Sequence, residues 1–399
     1  MMPFAAPLRR RAPSRAAGFS LVELMVSVIV GLLALSFATR MFVNSEQNKS
    51  AALGGSDAMQ NGMLALFSIN DDVAQAGFGL NDPIAVGCDT VMTDTQGFVL
   101  APATRAALTV RPVAGAVIES GGANPDRISL YSGTSMAGTA TVRLTADYTS
   151  GTQLNIDRVA YGFGKGDAIL VAPETAGTKC SLAQISNDPT VTTPPQQTIM
   201  IAVGAGNRFN SGALGSTFKA SQARVFDLGP AANLALHSWS VNDGFLQLSS
   251  TNMAGAAAAP ATVIDNIVSI KAQYGFDTRS TINFLPENGM QINSWSAVMV
   301  DADGDGVVGG AGDYQRVAAL RVAVVARSKA IEKAPAGGCT TTTVLPVVFG
   351  SAEPLGVVAV PISVNVAVAG DPVDWKCYRY RVFETIVPLR NSGWRPTAS

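Results

Sequence analysis

Three aspartates at alternating positions, Asp301, Asp303 and Asp305, open the run Asp301-Ala302-Asp303-Gly304-Asp305-Gly306. Carboxylate oxygens at the first, third and fifth places, a glycine at the sharp turn in the sixth and the Val307 backbone carbonyl in the seventh are what Ca²⁺ coordination uses. The loop departs from the EF-hand rule at its twelfth place, where Gly312 stands instead of a bidentate Glu; Asp313 closes the shell if the chain bulges through Gly309-Gly310. Three acids packed this closely repel one another without a cation. That makes Ca²⁺ the one cofactor expected of the chain, and Mg²⁺ is disfavoured by its stricter octahedral geometry. The same residues also make an ordinary Asp/Gly-rich turn holding no ion, and the spacing alone leaves both readings open.

The remaining reactive side chains are few. Cys88, Cys180, Cys339 and Cys377 are widely spaced and contain no CxxC, which argues against zinc and for disulfides in an oxidising compartment. Four cysteines allow three pairings; the shorter loops favour Cys88–Cys180 with Cys339–Cys377, although connectivity is not decided by spacing. His237 is the only histidine and has no neighbouring Cys or acid cluster, so it reads as structural. No GxSxG elbow accompanies it. Gly162-Phe163-Gly164-Lys165-Gly166 and Gly204-Ala205-Gly206 lack P-loop spacing and read as turns. Trp239, Trp295, Trp375 and Trp394 are scattered, with no basic residues interleaved as a stacking groove for single strands requires. These residues form no catalytic constellation, so an enzyme is not expected, nor is a nucleic-acid partner.

The elements that carry these residues begin with a membrane segment. A leader with Arg9, Arg10, Arg11 and Arg15 precedes Gly18, and an apolar run from Phe19 to Val43 follows with only Glu23 and Arg40 charged. As a helix at about 1.5 Å per residue the run reaches roughly 37 Å, enough for a hydrocarbon core of about 30 Å. In an ordinary secretory signal the small-residue cleavage site follows the apolar core; here it precedes it. Cutting after Gly18 removes four of the 28 Lys+Arg and no acid, leaving net acidic side chains against 29 Asp+Glu. The basic leader keeps its side cytoplasmic, so everything after Val43 faces the periplasm or exterior.

The order of basic leader, Gly18, aromatic Phe19 and Glu23 at the fifth place after the cut resembles the class III signal of type IV prepilins and pseudopilins. The resemblance implies cleavage after Gly18 and N-methylation of Phe19 by the prepilin peptidase. It also implies that Glu23 pairs with the methylated amine of Phe19 on a neighbouring subunit during filament assembly. A carboxylate within a span costs about 2.5–3.5 kcal/mol, and the plainer alternative is a Glu near the end of the span that reaches the headgroups. Major pilins often carry a helix-weakening Pro at the place occupied here by Arg40, so melting of the helix there is not expected.

No proline interrupts the chain between Phe19 and Asp82, so one helix of about 55 to 60 residues is expected, with Gly54-Gly55 as a soft point and Gly77 as its stop. Its second half is read as amphipathic, with Met59, Met63, Leu66, Phe67, Asn70, Val73 and Ala74 on the core face and Asp71, Asp72 and Gln75 off it. Beyond Gly79 short β-like runs alternate with Gly, Pro, Asn and Asp. They include Val263–Phe276, Val317–Ala326, Leu345–Phe349, Val357–Val368 and Tyr378–Leu389, while Thr190–Pro195 and Ala254–Pro260 read as loop tips. The fold class expected is α+β and type IV pilin-like, a long N-terminal helix packed on a large antiparallel β-rich periplasmic domain. Its divisions are a cleaved leader at 1–18, a transmembrane half at 19–43, an amphipathic half at 44–78 and the globular domain at 79–399, with a possible split near 250–262.

Asp71-Asp72-Val73-Ala74-Gln75-Ala76-Gly77-Phe78-Gly79, Gln273-Tyr274-Gly275-Phe276, the Asp301–Gly306 loop and Tyr380–Asn391, taken in this order after the signal, resemble the PilW family of type IV pilus minor pilins. The likeness covers both ends and the terminal third; residues of roughly 85–250 are not diagnostic. It implies a minor pilin acting in initiation of pilus assembly and in the tip complex, with roles in adhesion and twitching motility. The partners implied are other minor pilins, the major pilin, a tip adhesin, the prepilin peptidase and the inner-membrane assembly platform. The location implied is a single pass in the inner membrane of a Gram-negative bacterium, then the pilus at its surface. PilW-type proteins are similar in architecture to J-type minor pseudopilins, so the tip of a type II secretion pseudopilus is one alternative, and a tip-located ligand-binding module is another.

Overall fold

A computed structural model of the chain describes residues 18, 20–80, 82–135, 141–174, 179–190, 197–201, 207–209, 212–332 and 338–393, with backbone only at 47, 48, 50–53, 392 and 393. The leader 1–17, Phe19, most of 190–195, Gly204-Ala205-Gly206 and Trp394 lie outside the described residues. The chain divides into two compact units, 1–53 and 54–399. The dividing point is the Leu53–Gly54 bond.

Helix α1 (Leu21–Gln75) runs 55 residues and keeps its hydrogen bonding through Gly54-Gly55. Leu, Met, Ala and Gln supply most of its helix propensity, and no proline removes a donor. In the first unit the segment Leu21–Glu46 is long and apolar enough to cross a membrane, and none of the side chains in its apolar window is buried. The helix ends where Gly77 takes a positive φ of 83°, with Phe78 N donating to Gln75 O and Gly77 N donating to the Tyr131 carbonyl.

Within the second unit the packed face of α1 differs from the expected one. Ala58, Ala65, Ile69, Val73 and Ala76 are buried, whereas Met59, Met63 and Phe67 are 47%, 57% and 68% exposed. Of the seven residues expected on the core face only Val73 is fully buried; Leu66 and Asn70 are half-buried and Ala74 is exposed. The reason is distance: small side chains let the helix axis lie close to the sheet. At Gly62 a Cβ would stand 2.2 Å from the Phe383 ring, so the contact admits nothing larger. The long apolar side chains are therefore turned away from this domain.

Three main sheets build the second unit. One has six strands in the order Pro112–Val113, Cys88–Val91, Cys180–Gln184, Asp167–Pro173, Ala223–Pro230 and Thr141–Arg143; its Cys88–Val91 and Cys180–Gln184 pair is parallel, the rest antiparallel. A second, five-stranded sheet runs Ala261–Asp265, Phe245–Ser250, Ala235–Asn242, Arg127–Ser132 and Ala116–Glu119. The third has Ser294–Ser296, Ile267–Phe276, Val317–Arg327 and Tyr380–Pro388 in that order, all antiparallel. Ile69 and Val73 of α1 share a core with Ile128, Leu130, Leu246, Ile270, Leu320 and Val324 of the second and third sheets.

The stretch near 250–262 joins two strands that pair with each other in the five-stranded sheet, so no split falls there. The chain instead changes sheet at Asn266, whose φ of 57° breaks the expected Val263–Phe276 strand into Ala261–Asp265 and Ile267–Phe276. Of Leu345–Phe349 and Val357–Val368 only Val347–Val348 and Ile362–Ser363 form a ladder. Disulfides join Cys88 to Cys180 and Cys339 to Cys377. Lys271 and Asp126 form a fully buried ion pair. Lys271 Nζ also donates to the Gly122 and Asn124 carbonyls at 2.9 and 3.0 Å, and Asp126 Oδ2 accepts from Ala272 N, so both charges have partners where burial would otherwise be costly.

Candidate functional site

Two places on the chain collect the residues that the sequence singles out. At the N-terminus Gly18 is exposed and Glu23 lies in the first turn of α1. A carboxylate there faces the positive end of the helix dipole. The side chains from Leu21 to Val43 are all exposed, which leaves a largely apolar cylinder whose only charges are Glu23 and Arg40.

The second place is the acid loop before the short helix α2 (Ala311–Gln315). Carboxylate oxygens of Asp301, Asp303 and Asp305 come within 4.8 Å of one another. The turn is wound by its own side chains. Asp301 Oδ1 and Oδ2 accept from Gly304 N and Gly306 N at 2.9 and 3.0 Å, Asp303 Oδ1 from Asp305 N at 3.1 Å and Asp305 Oδ1 from Val307 N at 2.7 Å. Asp303 Oδ2 and Asp305 Oδ2 are left over from this winding. Partial burial, with the charges of Asp305 and Asp301 adding to it, pushes Asp303 above its ordinary value.

Asp313 does not join the other three. It is fully buried, and both of its oxygens are taken by backbone donors: Oδ1 by Ala302 N and Asp303 N at 2.6 and 3.3 Å, Oδ2 by Gly309 N and Gly310 N at 2.8 and 3.0 Å. It therefore braces the loop rather than closing a ligand shell, and burial raises its carboxyl despite those four donors. The Val307 carbonyl accepts from Gly310 N at 3.2 Å. The missing Glu at the twelfth place has a steric cause, since a Cβ on Gly312 would lie 1.7 Å from Asp303 Oδ2. The loop leans on the hairpin of Ala103–Arg105 and Leu108–Val110, where Arg105 Nε donates to Gly309 O at 2.7 Å.

His237 is structural in a way its isolation in the sequence conceals. Its Nδ1 lies 2.9 Å from Asp72 Oδ2 and its Nε2 2.9 Å from Asn252 Oδ1, while Trp239 Nε1 donates to the same Asp72 oxygen at 2.7 Å. Burial alone would lower the imidazole; the hydrogen bond and charge of Asp72, helped by Asn252, outweigh it and hold His237 above its ordinary value. Asp72, expected off the packed stripe, latches α1 to the five-stranded sheet across 165 residues of chain. The only sequence signal was an acid in the helix and a lone histidine far downstream.

Comparison with known families gives two matches. Residues 238–391 match the model of the type IV pilus-assembly protein W family, PilW. That span holds part of the five-stranded sheet, the whole third sheet, the acid loop and the Cys339–Cys377 disulfide. Residues 13–39 match the prokaryotic N-terminal methylation motif and contain Gly18, Phe19 and Glu23. No curated protein and no solved structure matches the chain.

Proposed function

This chain is a membrane-anchored type IV pilus minor pilin of the PilW family, and from that premise we propose that it primes pilus assembly from within a minor-pilin complex at the tip. Its family is structural, and its work is association with other pilus components. The observation that carries the reading is the methylation motif at the start of a helix whose segment Leu21–Glu46 is long and apolar enough to cross a membrane, with no side chain of its apolar window buried. In this reading the prepilin peptidase cuts after Gly18 and methylates Phe19, and Glu23 pairs with that amine in the growing filament. The globular unit faces the periplasm of a Gram-negative cell before it reaches the surface, where the tip serves adhesion and twitching motility. Other minor pilins, the major pilin, a tip adhesin and the inner-membrane platform are the partners, and the exposed Met59, Met63, Leu64 and Phe67 give the second unit an apolar face of its own for them to meet.

The test counts surface pili in a deletion strain with and without the retraction ATPase, with type II secretion assayed alongside. Loss of pili that is largely restored when retraction is blocked is the expected result. Normal pili with failed secretion would move the protein to a J-like place in a pseudopilus.

The acid loop is the second part of the proposal: Asp301, Asp303 and Asp305 hold Ca²⁺, supported by their convergence and by the two free oxygens on Asp303 and Asp305. Val307 contributes its carbonyl, and Asp313 acts by holding the loop's backbone. The ion supplies the countercharge that three clustered carboxylates lack. Calcium should raise the melting temperature by binding the folded state, by about 2.7 kcal/mol of stability at a hundredfold excess over Kd. Asp303→Ala should abolish the rise, and an unmoved wild-type transition would favour an ion-free turn.

A further inference from the structure

At the C-terminal end of α1 a cleft of about 500 Å³ opens between the helix, the five-stranded sheet and the segment around Asn391. Its volume falls within the range of small-molecule sites. None of its lining residues is charged, and four of them, Gln75, Asn233, Asn252 and Asn391, are side-chain amides. Three of the four are held at one end. Gln75 Nε2 donates to Asp71 Oδ2 at 3.1 Å, and Asn391 Nδ2 donates to the Gln75 and Ala76 carbonyls at 3.1 and 3.0 Å. Asn252 Oδ1 accepts from Ser250 Oγ at 2.6 Å and faces His237 Nε2.

Carboxylate and carbonyl oxygens only accept, so the amide orientations of Gln75 and Asn391 follow from their partners. Left over, among the described residues, are the carbonyl oxygens of Gln75 and Asn391, the amino group of Asn252, both ends of Asn233 and the buried Thr134 Oγ1. Phe78, 45% exposed, adds a flat apolar wall. Three amides are thus held around an aromatic surface, Asn233 is free to turn either end to a ligand, and none of the four carries a charge. No lining residue offers a countercharge to a phosphate, carboxylate or ammonium ligand; the nearest charges, Asp71 and the His237–Asp72 pair, stand behind Gln75 and Asn252. Hydroxyl groups, which both donate and accept, match the set, and a sugar ring also offers an apolar face to Phe78.

We propose that this cleft binds a neutral saccharide of one or two rings, with Asn233, Asn252, Asn391 and Gln75 reading its hydroxyls and Phe78 covering one ring face. The inference stands apart from the assembly role, because the isolated chain suffices to test it and its failure leaves that role untouched. Saturation-transfer NMR would be run on the full chain in a non-glycosidic detergent. Galactose, N-acetylgalactosamine, N-acetylglucosamine and lactose are the probes, glucuronate the charged comparator and pentaglycine the main-chain comparator.

At least one neutral sugar should bind at millimolar Kd. Phe78→Ala and Asn233→Ala should each weaken it about tenfold, the size of one lost contact, at an unchanged melting temperature, since neither side chain makes an internal hydrogen bond. Absence of binding by all four neutral sugars, unchanged affinity in either variant, or preference for glucuronate or pentaglycine would overturn the proposal.

Discussion

Asp72, His237 and Trp239 form a contact whose strength depends on a proton. Both imidazole nitrogens face oxygen acceptors, Asp72 Oδ2 and Asn252 Oδ1, so the doubly protonated ring satisfies both. A histidine whose folded pKa is raised contributes stability that is fully present below its unfolded value of about 6.5 and is lost as pH rises through the folded value. The melting temperature of the full chain should therefore fall as pH is raised from 6 towards 9, and His237→Gln should flatten that step. The buried carboxyls Asp167 and Asp227, raised by burial, also favour the protonated side, but their loss begins lower, in the ordinary carboxylate range. Unequal pH slopes between wild type and variant above pH 6 isolate the histidine; equal slopes would remove it as the cause.

Helix α1 shows what sequence periodicity reaches and where it stops. Its existence, length and end were legible, because a proline-free apolar run needs no tertiary context and Gly77 terminates it wherever it packs. Its packed face was not. Apolar periodicity ranks Met59, Met63 and Phe67 above Ala58, Gly62 and Ala65, yet the sheet approaches too closely for large side chains. Asp301, Asp303 and Asp305 were legible for a related reason, since their alternation alone brings them together. Asp313 was not, because its oxygens are claimed by N–H groups that only the folded turn points inward. The change of sheet at Asn266 left no compositional mark. Two substitutions separate the halves of the helix: Glu23→Ala and Phe67→Glu should each leave the soluble fold intact and reduce the protein's level in sheared pili several-fold. Wild-type levels for Glu23→Ala would remove its assembly role, and wild-type levels for Phe67→Glu would show that the outward face stays bare in the filament.

At the scale of the molecule the two disulfides constrain unequal lengths of chain, 92 residues for Cys88–Cys180 and 38 for Cys339–Cys377. Removing a native disulfide typically costs about 2–5 kcal/mol, and the logarithmic loop term makes the longer loop worth roughly 0.8 kcal/mol more. Urea unfolding of paired Cys→Ala variants should show the Cys88/Cys180 pair to be the more destabilising; the reverse order would mean that the C-terminal loop holds more of the packing than its length implies.

The close approach at Gly62 has a temporal consequence. The Phe383 ring that fills the space beside Gly62 belongs to the Tyr380–Pro388 strand, and Asn391 binds the carbonyls of Gln75 and Ala76 from more than 300 residues away. Contacts this distant along the chain form late, because the intervening segment must first be ordered. The contact at Gly62 therefore closes last in a chain made from its N-terminus, after every residue from Ile128 to Val324 that packs on Ile69 and Val73 has been synthesised.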